Sequence, residues 1–297
     1  MHRWVAALAV LAFVAPATAW ADASPPPIFR SDFEKSCVSA DDWRISKLLK
    51  EDVRADRIRC IDDPAGGGHR VLAVTVKPGD AYDPSPGDKP TERAEIQVRR
   101  ELVRFDTTTW YSFRFRVESP WARGKNRTVI HQIKQNIDER YGKGDGGEEI
   151  CDAANPLFKL EVDSDGTTPI FRAKVTGTDS CGADVGKATI CGDWPVAADQ
   201  WHQVNVVIRP SQKTGDSFLQ LWLDGQACPT YRGILGYPRY GRVEDGRPVI
   251  DAQPRFGIYR DALPDWSQTI LFDDIAFWTT APDGAAGWTG IDPQQAK

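Results

Sequence analysis

Short segments in which polar and apolar side chains alternate recur along the whole chain. Residues 91–103, TERAEIQVRRELV, are an example, because a β-strand turns alternate side chains to opposite faces. The polar face of this strand carries Arg93, Glu95, Gln97 and Arg99. The other segments with the same period are 71–77, 110–119, 127–136, 157–165, 171–177, 202–210, 218–225, 255–261 and 269–278. Helical structure is expected only as a turn near residues 41–52.

These segments predict an all-β fold. Short strands separated by Gly, Pro and Asp clusters favour one antiparallel sandwich of two sheets, a concanavalin-like jelly roll with a concave groove. The 11 Trp and 12 Phe residues can fill the core between the sheets. Three long connections, 137–156, 178–200 and 226–254, are expected to be loops that form lids or groove walls.

The N-terminus predicts export. Residues 1–21 combine an early Arg3, an apolar run and the small-residue exit Ala19-Trp20-Ala21, which is typical of a secretory signal peptide. Cleavage is expected after Ala21, with Ala19 as the alternative. We therefore expect a domain over residues 22–280, a tail over 281–297, no membrane span, and a secreted or periplasmic monomer.

Charge restricts the ligand class. The chain carries 37 basic and 42 acidic residues, a net charge of −5, which argues against nucleic acid as a partner. Between Arg93 and Lys134, however, ten Lys or Arg residues accompany four Asp or Glu residues. A local basic strip on an acidic protein indicates a confined anionic ligand.

The six cysteines are even in number and lack any Cys-x-x-Cys pair, which in an exported protein favours disulfides over zinc. Fifteen pairings are formally open. The pairing we predict is Cys37 with Cys60, Cys151 with Cys181, and Cys191 with Cys228.

Several strands combine an apolar face with a face of long hydrogen-bonding side chains. Each strand alone is compatible with an ordinary solvated surface. Their combination favours a trough for an acidic sugar chain, with Gly257 leaving room between Arg255 and Tyr259. The candidate residues are Arg93, Glu95, Gln97, Arg99, Arg114, Gln132, Lys134, Lys159, Arg255 and Tyr259.

The same segments resemble those of the jelly-roll polysaccharide lyases, the group that contains alginate lyases, glucuronan lyases and the heparin lyase I type. TERAEI is similar to their Arg-x-Glu strand, HQIKQ to their Gln-x-His strand, and RFGIYRD to their Lys-x-Gly-x-Tyr strand. WHQVNVVI, LQLWLDGQ and ILFDDIAFW resemble their late strands. The resemblance extends from about Phe33 to Trp278.

This resemblance implies β-elimination on a uronate-containing polysaccharide without a cofactor. Arg93 and Gln132 would bind the uronate carboxylate, and Tyr259 would serve the leaving oxygen. Glu95 would orient Arg93 through a charge-assisted hydrogen bond, and Arg255 replaces the family's lysine.

The chain departs from the family pattern at the histidine. Alignment on residues 132–134 places Lys134 where the base is expected, and His131 falls on the opposite, core-facing side. A bulge is the alternative that would turn His131 into the groove. We therefore expect Lys134 to neutralise charge and Tyr259 to act as both base and acid. That arrangement favours glucuronate or mannuronate, whose C5 proton and O4 lie on the same side of the ring.

Two other functions fit parts of the sequence. Glu161 and Asp163 share a strand face and would suit a glycoside hydrolase, although that function leaves the arginine strand unexplained. A non-catalytic carbohydrate-binding protein on the same fold would explain the missing histidine. No metal is expected, because the acidic turn at residues 163–166, a candidate for structural calcium, lacks the ligand spacing of an EF-hand.

Overall fold

The alternating segments form two antiparallel sheets that face each other in the computed structural model. The described residues are 25–46, 49–82, 90–121, 126–136, 155–166, 168–178, 186–213, 215–237, 243–244, 247–248, 251–263 and 265–282. The predicted signal peptide, most of the predicted tail, and the pair Cys151 and Cys181 lie outside these residues.

The described residues form nineteen strands. They are β1 (Phe29–Ser31), β2 (Trp43–Ile45), β3 (Ile58–Asp62), β4 (Arg70–Val76), β5 (Ala81–Tyr82), β6 (Thr91–Val98), β7 (Thr109–Val117), β8 (Thr128–Asn136), β9 (Phe158–Asp165), β10 (Thr168–Gly177), β11 (Gly186–Pro195), β12 (His202–Arg209), β13 (Phe218–Leu223), β14 (Gln226–Ala227), β15 (Tyr231–Arg232), β16 (Val243–Glu244), β17 (Arg247–Pro248), β18 (Asp251–Asp261) and β19 (Gln268–Trp278). A 3₁₀ turn (Glu51–Val53) leads into a single helical turn, α1 (Arg54–Arg57).

Each sheet has a continuous strand order. The nine-stranded sheet runs β14-β13-β12-β7-β19-β4-β3, with β1 beside β19 and β15 beside β13. The eight-stranded sheet runs β11-β10-β9-β8-β18-β6-β2, with β5 beside β6. β16 and β17 form a separate small hairpin. The all-β, two-sheet sandwich predicted from the alternation is thus confirmed.

The apolar faces of the two sheets meet in the core. Phe113 of β7 packs edge-on against Phe256 of β18, with ring centroids 5.2 Å apart. Phe158, Phe171 and Phe272 are fully buried in the same core. Removing side chains of this size from water stabilises the fold by roughly 1.5–3 kcal/mol each, which holds the polar face of the eight-stranded sheet outward.

Each of the ten predicted strands corresponds to an observed one, but three expectations about the connections are wrong. The predicted loop 226–254 contains the short strands β14 to β17 and the start of β18. β11 lies inside the predicted loop 178–200. Its alternation is obscured by two register shifts and by Asp193 in a left-handed conformation. The helical turn that is expected within residues 41–52 begins only at Glu51 and ends at Arg57.

Two disulfides confirm two of the three predicted pairings. Cys37 bonds to Cys60 and Cys191 bonds to Cys228, with Cα atoms 5.4 and 5.3 Å apart. The Cys191–Cys228 bond joins β11 to the residue after β14, at one edge of the sandwich. The Cys37–Cys60 bond lies at the other edge, where β3 and β2 are the last strands.

Among the described residues, no helix is long and apolar enough to cross a membrane.

Candidate active site

A row of polar side chains crosses the outer face of the eight-stranded sheet. Arg255 of β18 pairs with Gln97 of β6 on one side and with Gln132 of β8 on the other. Gln132 pairs with Lys159 of β9, and Lys159 pairs with Lys174 of β10. Because directly paired residues share a face, these five side chains line one trough, which we call the groove.

Glu95 connects the two groups expected to bind a carboxylate. Gln132 donates from Nε2 to Glu95 Oε1 at 2.5 Å, and Arg93 Nε lies 3.3 Å from Glu95 Oε2. The Glu95 side chain is buried, so this pairing takes place away from bulk water. A carboxylate shared in this way sets the positions of Arg93 and Gln132 relative to each other.

Tyr259 lies beside this group, next to two guanidinium groups. The Arg93 Cζ atom is 4.1 Å from the centroid of the Tyr259 ring, and the Arg127 Cζ atom is 5.0 Å from it. Arg93 comes from β6 and Arg127 from the residue before β8, the strands on either side of β18. These stacked cations hold the half-buried phenol at the groove surface.

Arg127 was not among the residues predicted from the sequence. Strict alternation places Arg127 on the face of His131, opposite Gln132. A register shift between Val129 and His131 changes the alternation, so that Arg127 and Gln132 lie on the same side. Burial alone would lower the pKa of Arg127, but the charges of Asp261 and Tyr259 outweigh it and raise that pKa.

His131 faces the core, as strict alternation predicted. The bulge is present, but it does not turn the imidazole into the groove. His131 is fully buried, with Nε2 at 2.9 Å from Tyr111 Oη and Nδ1 at 2.9 Å from the Arg255 carbonyl oxygen. Burial lowers its pKa from 6.5 to about 3, partly offset by the Arg255 hydrogen bond, so the imidazole stays neutral.

Gly257 lets β18 approach β6 closely beneath the groove. Its φ is +145°, and a Cβ atom there would meet Ala94 O at 2.2 Å and Glu95 Cα at 2.7 Å. Both contacts are with backbone that is fixed in the sheet. Only glycine therefore fits between Arg255 and Tyr259.

Glu161 is enclosed by two lysines. Lys159 Nζ lies 2.7 Å from Glu161 Oε1, Lys174 donates to Glu161 Oε2, and the carboxylate is fully buried. Burial alone would raise the pKa of Glu161, but the two lysines outweigh it and lower that pKa. A carboxylate held in this way is poorly placed to serve as the exposed nucleophile or acid of a hydrolase.

The other predicted groove residues divide into two groups. Lys134 and Arg255 lie in the groove, where Lys134 is two residues after Gln132 on the same face of β8. Burial lowers the pKa of Arg255, and the charge of Glu95 offsets only part of that effect. The expected place of Arg114 in the groove is wrong, because β7 belongs to the nine-stranded sheet, where Arg114 pairs with Asp273. Arg99 follows the end of β6 and donates to the Trp43 carbonyl oxygen instead.

No group of three or more His, Cys, Asp or Glu side chains in the described part of the chain has the arrangement of a metal site.

Comparison with known proteins gives a family and a fold. A family model described as polysaccharide lyase matches residues 36–276. The crystal structure of an endo-β-1,4-glucuronan lyase from the fungus Trichoderma reesei aligns with a TM-score of 0.57 and 17% identity, covering 86% of this chain and 96% of that one. An alginate lyase from Pseudomonas aeruginosa aligns with a TM-score of 0.50 and 14% identity, covering 81% and 99%. At these identities the two structures show the shared fold alone. A search of curated proteins found no match.

Proposed function

The chain belongs to the polysaccharide lyase family, and we propose that it cleaves a uronate-containing polysaccharide by β-elimination at Tyr259. The observation that supports this site is the convergence of Arg93, Glu95 and Gln132 beside the Tyr259 phenol. Side chains from three neighbouring strands meet there, on the basic face of one sheet.

The carboxylate of the bound uronate is the group that Arg93 and Gln132 would hold. Hydrogen bonds to that carboxylate stabilise the negative charge that develops when C5 loses its proton. Glu95 keeps the two donors in register and takes no proton itself. Arg255 and Lys134 add positive charge along the same face.

Tyr259 would move the proton. Its oxygen, ionised as the phenolate, takes the proton from C5, the electrons of that C–H bond form the C4–C5 double bond, and the C4–O4 bond breaks. The neutral phenol formed in this way then gives its proton to O4 of the leaving sugar and returns to the phenolate. Arg93 and Arg127 beside the ring stabilise the phenolate before the first transfer and after the second.

The use of one residue for both proton transfers restricts the substrate. His131 lies under the sheet and not in the groove, and we therefore assign both proton transfers to Tyr259. A single phenol reaches both atoms only when the C5 proton and O4 are on the same side of the sugar. We therefore propose glucuronate or mannuronate rather than guluronate or iduronate as the cleaved residue.

We also propose that the mature protein is exported. The two described disulfides are stable in oxidising compartments, and the N-terminal pattern is that of a signal peptide. The domain bounds at residues 22 and 280 and the monomeric state stay predictions from the sequence.

The variant Tyr259→Phe tests the mechanism. It keeps the aromatic ring between the two arginines but removes the hydroxyl that carries the proton. Turnover of glucuronate or mannuronate polymers, followed by the ultraviolet absorbance of the unsaturated product, should fall by about 10²-fold or more. Binding of the same polymer, measured by calorimetry, should change little.

Tyr231→Phe is the matched control, because the Tyr231 hydroxyl donates to the Ile234 carbonyl oxygen on the other sheet. It should leave turnover unchanged. Normal turnover by Tyr259→Phe would remove this residue from the mechanism. Reducing ends without an unsaturated product would show hydrolysis instead of elimination.

A further inference from the structure

A cavity of about 700 Å³ lies on the same face of the eight-stranded sheet as Tyr259. This volume falls within the roughly 300–1,000 Å³ of small-molecule sites. Its lining residues are Asn126, Arg127, Asp163, Ser164, Ile170, Arg172 and Asp193. Arg127 lines the cavity and also lies beside the proposed reaction centre, since its Cζ atom is 5.0 Å from the centroid of the Tyr259 ring. The cavity therefore adjoins the proposed reaction centre at Arg127.

The strand register places the cavity beyond the sugar that is cleaved. Tyr259 pairs with Val129, Val129 with Glu161, and Glu161 with Arg172. Three strand spacings, about 14 Å, separate the backbone of Tyr259 from that of Arg172 at the far wall of the cavity, whereas Arg127 forms the wall beside Tyr259. A sugar in the cavity is thus a neighbouring residue of the polymer, not the one at Tyr259.

The guanidinium groups of the cavity already have carboxylate partners. Arg172 lies 2.6 Å from Asp163 through Nη1 and 2.6 Å from Asp193 through Nη2. Arg127 lies 2.7 Å from Asp261. Burial and the nearby Glu161 raise the pKa of Asp163, whose side chain is largely enclosed. A further carboxylate in this cavity would meet Asp163 and Asp193 without an uncommitted arginine to neutralise it.

The groove, which crosses the same sheet at the level of Arg255, has the opposite balance. Among its described residues, two carboxylates, Glu95 and Glu161, accompany five cations. The cations are Arg93, Lys134, Lys159, Lys174 and Arg255. The cavity lining carries two carboxylates and two cations. Uronates are therefore favoured in the groove, whereas the cavity offers paired donors and acceptors that suit hydroxyl groups.

We propose that the cavity binds an uncharged sugar residue next to the cleaved uronate, so that the substrate is a polymer in which uronates adjoin neutral sugars. Asn126 and Ser164 supply further polar groups for hydroxyls, and Ile170 supplies an apolar contact for the ring. This inference rests on the proposed lyase function, because Tyr259 defines which sugar is cleaved.

Substrates of equal length test the preference. The wild-type enzyme should cleave oligosaccharides in which glucuronate alternates with a neutral hexose with a kcat/KM at least ten-fold above that for all-glucuronate oligosaccharides. Equal values, or a preference for the all-uronate chain, would overturn the proposal.

The variant Asp193→Asn links the preference to the cavity. Asp193 is exposed and has a φ of +57°, which asparagine tolerates, so this substitution should not disturb the fold. It removes one of the two carboxylate charges beside Arg172 and leaves Asp163 as the other, so kcat/KM for the all-uronate chain should rise several-fold. Asp62→Asn, the same charge change on the exposed edge of β3, should leave the ratio of the two substrates unchanged. If the ratio of kcat/KM for the two substrates shifts equally in both variants, or in neither, the proposal is contradicted.

Binding separates this inference from the proposed reaction. If no substrate gives an unsaturated product, the lyase mechanism fails, but binding of the alternating oligosaccharide to the Tyr259→Phe variant can still be measured by calorimetry. Adding Arg172→Ala should then weaken binding at least ten-fold, with thermal melting as the check of folding. Unchanged affinity in a folded Arg172→Ala variant would show that the cavity does not hold the sugar.

Discussion

The imidazole of His131 lies directly beneath the groove without reaching it. Its two nitrogens are used by the Tyr111 hydroxyl and the Arg255 carbonyl oxygen, and Phe113 and Phe256 enclose the ring. The contact with Arg255 ties the buried histidine to the strand that carries Tyr259. A residue with this environment contributes to the position of β18 rather than to proton transfer.

The protonation of His131 should make stability depend on pH. In the unfolded chain the imidazole binds a proton below about pH 6.5, whereas in the folded protein its pKa is about 3. The contribution is therefore fully present above pH 6.5 and is lost as the pH falls towards 3, by at most about 1.4 kcal/mol per pH unit.

The variant His131→Gln isolates this contribution, because its side chain keeps a donor and an acceptor but does not titrate. The free energy of unfolding, from denaturant titrations between about pH 7 and pH 4, should fall less steeply in His131→Gln than in the wild type. The carboxylates contribute to both proteins and cancel in the difference. Parallel slopes would show that His131 is not a buried neutral group.

At the scale of single strands, the irregular positions decide the site. β18 has a register shift against β8 between Phe256 and Tyr259, and β8 has one against β9 between Val129 and His131. Gly257 lies in the first of these irregular positions. Together they bring Arg127 beside Tyr259, although each strand alternates regularly elsewhere.

Substitution of Gly257 by alanine should therefore affect activity as well as stability. The added Cβ atom would press on the β6 backbone at Ala94 and Glu95, displacing the carboxylate that orders Arg93 and Gln132. The strain should cost about 1–3 kcal/mol, and kcat/KM should fall by about 10²-fold.

Gly225→Ala is the control for backbone strain. Gly225 also has a positive φ, +78°, but nothing lies within 4 Å of its added Cβ atom. Its melting temperature should fall while kcat/KM stays near the wild-type value. A fully active Gly257→Ala enzyme would show that the close approach of β18 to β6 does not order the site.

At the scale of the whole molecule, a disulfide joins the two sheets at one edge. The Cys191–Cys228 bond links β11 of the eight-stranded sheet to the chain after β14 of the nine-stranded sheet. β10 and β11 carry Arg172 and Asp193, so this edge also holds the cavity. The Cys191–Cys228 bond is therefore expected to support the cavity more than it supports the position of Tyr259, which lies near the middle of the sheet.

Replacement of both Cys191 and Cys228 by serine should lower the free energy of unfolding by about 2–4 kcal/mol, because a closed loop of 37 residues restricts the unfolded chain. Denaturant titration of the double variant and the wild type under oxidising conditions measures this difference. The same loss in reduced wild-type protein, with no further loss in the reduced variant, would assign the whole loss to the Cys191–Cys228 bond. An unchanged free energy of unfolding in the double variant would show that this bond does not stabilise the fold.

The alternation of polar and apolar residues by itself determined the class of fold and the faces of most strands. The two-residue period of a strand sets which side chains share a face, so Arg93, Glu95, Gln132 and Tyr259 could be assigned before any pairing was known. The core-facing position of His131 followed from the same rule.

Only the tertiary structure decided which strands are neighbours and where the period breaks. Alternation carries no information on sheet membership, and Arg114 therefore lies on the other sheet although its strand has a similar polar face. Bulges depend on the fit between paired strands, so neither β11 nor the place of Arg127 could be inferred from a single segment. The phenol of Tyr259 acquires its neighbours through contacts between residues more than a hundred positions apart.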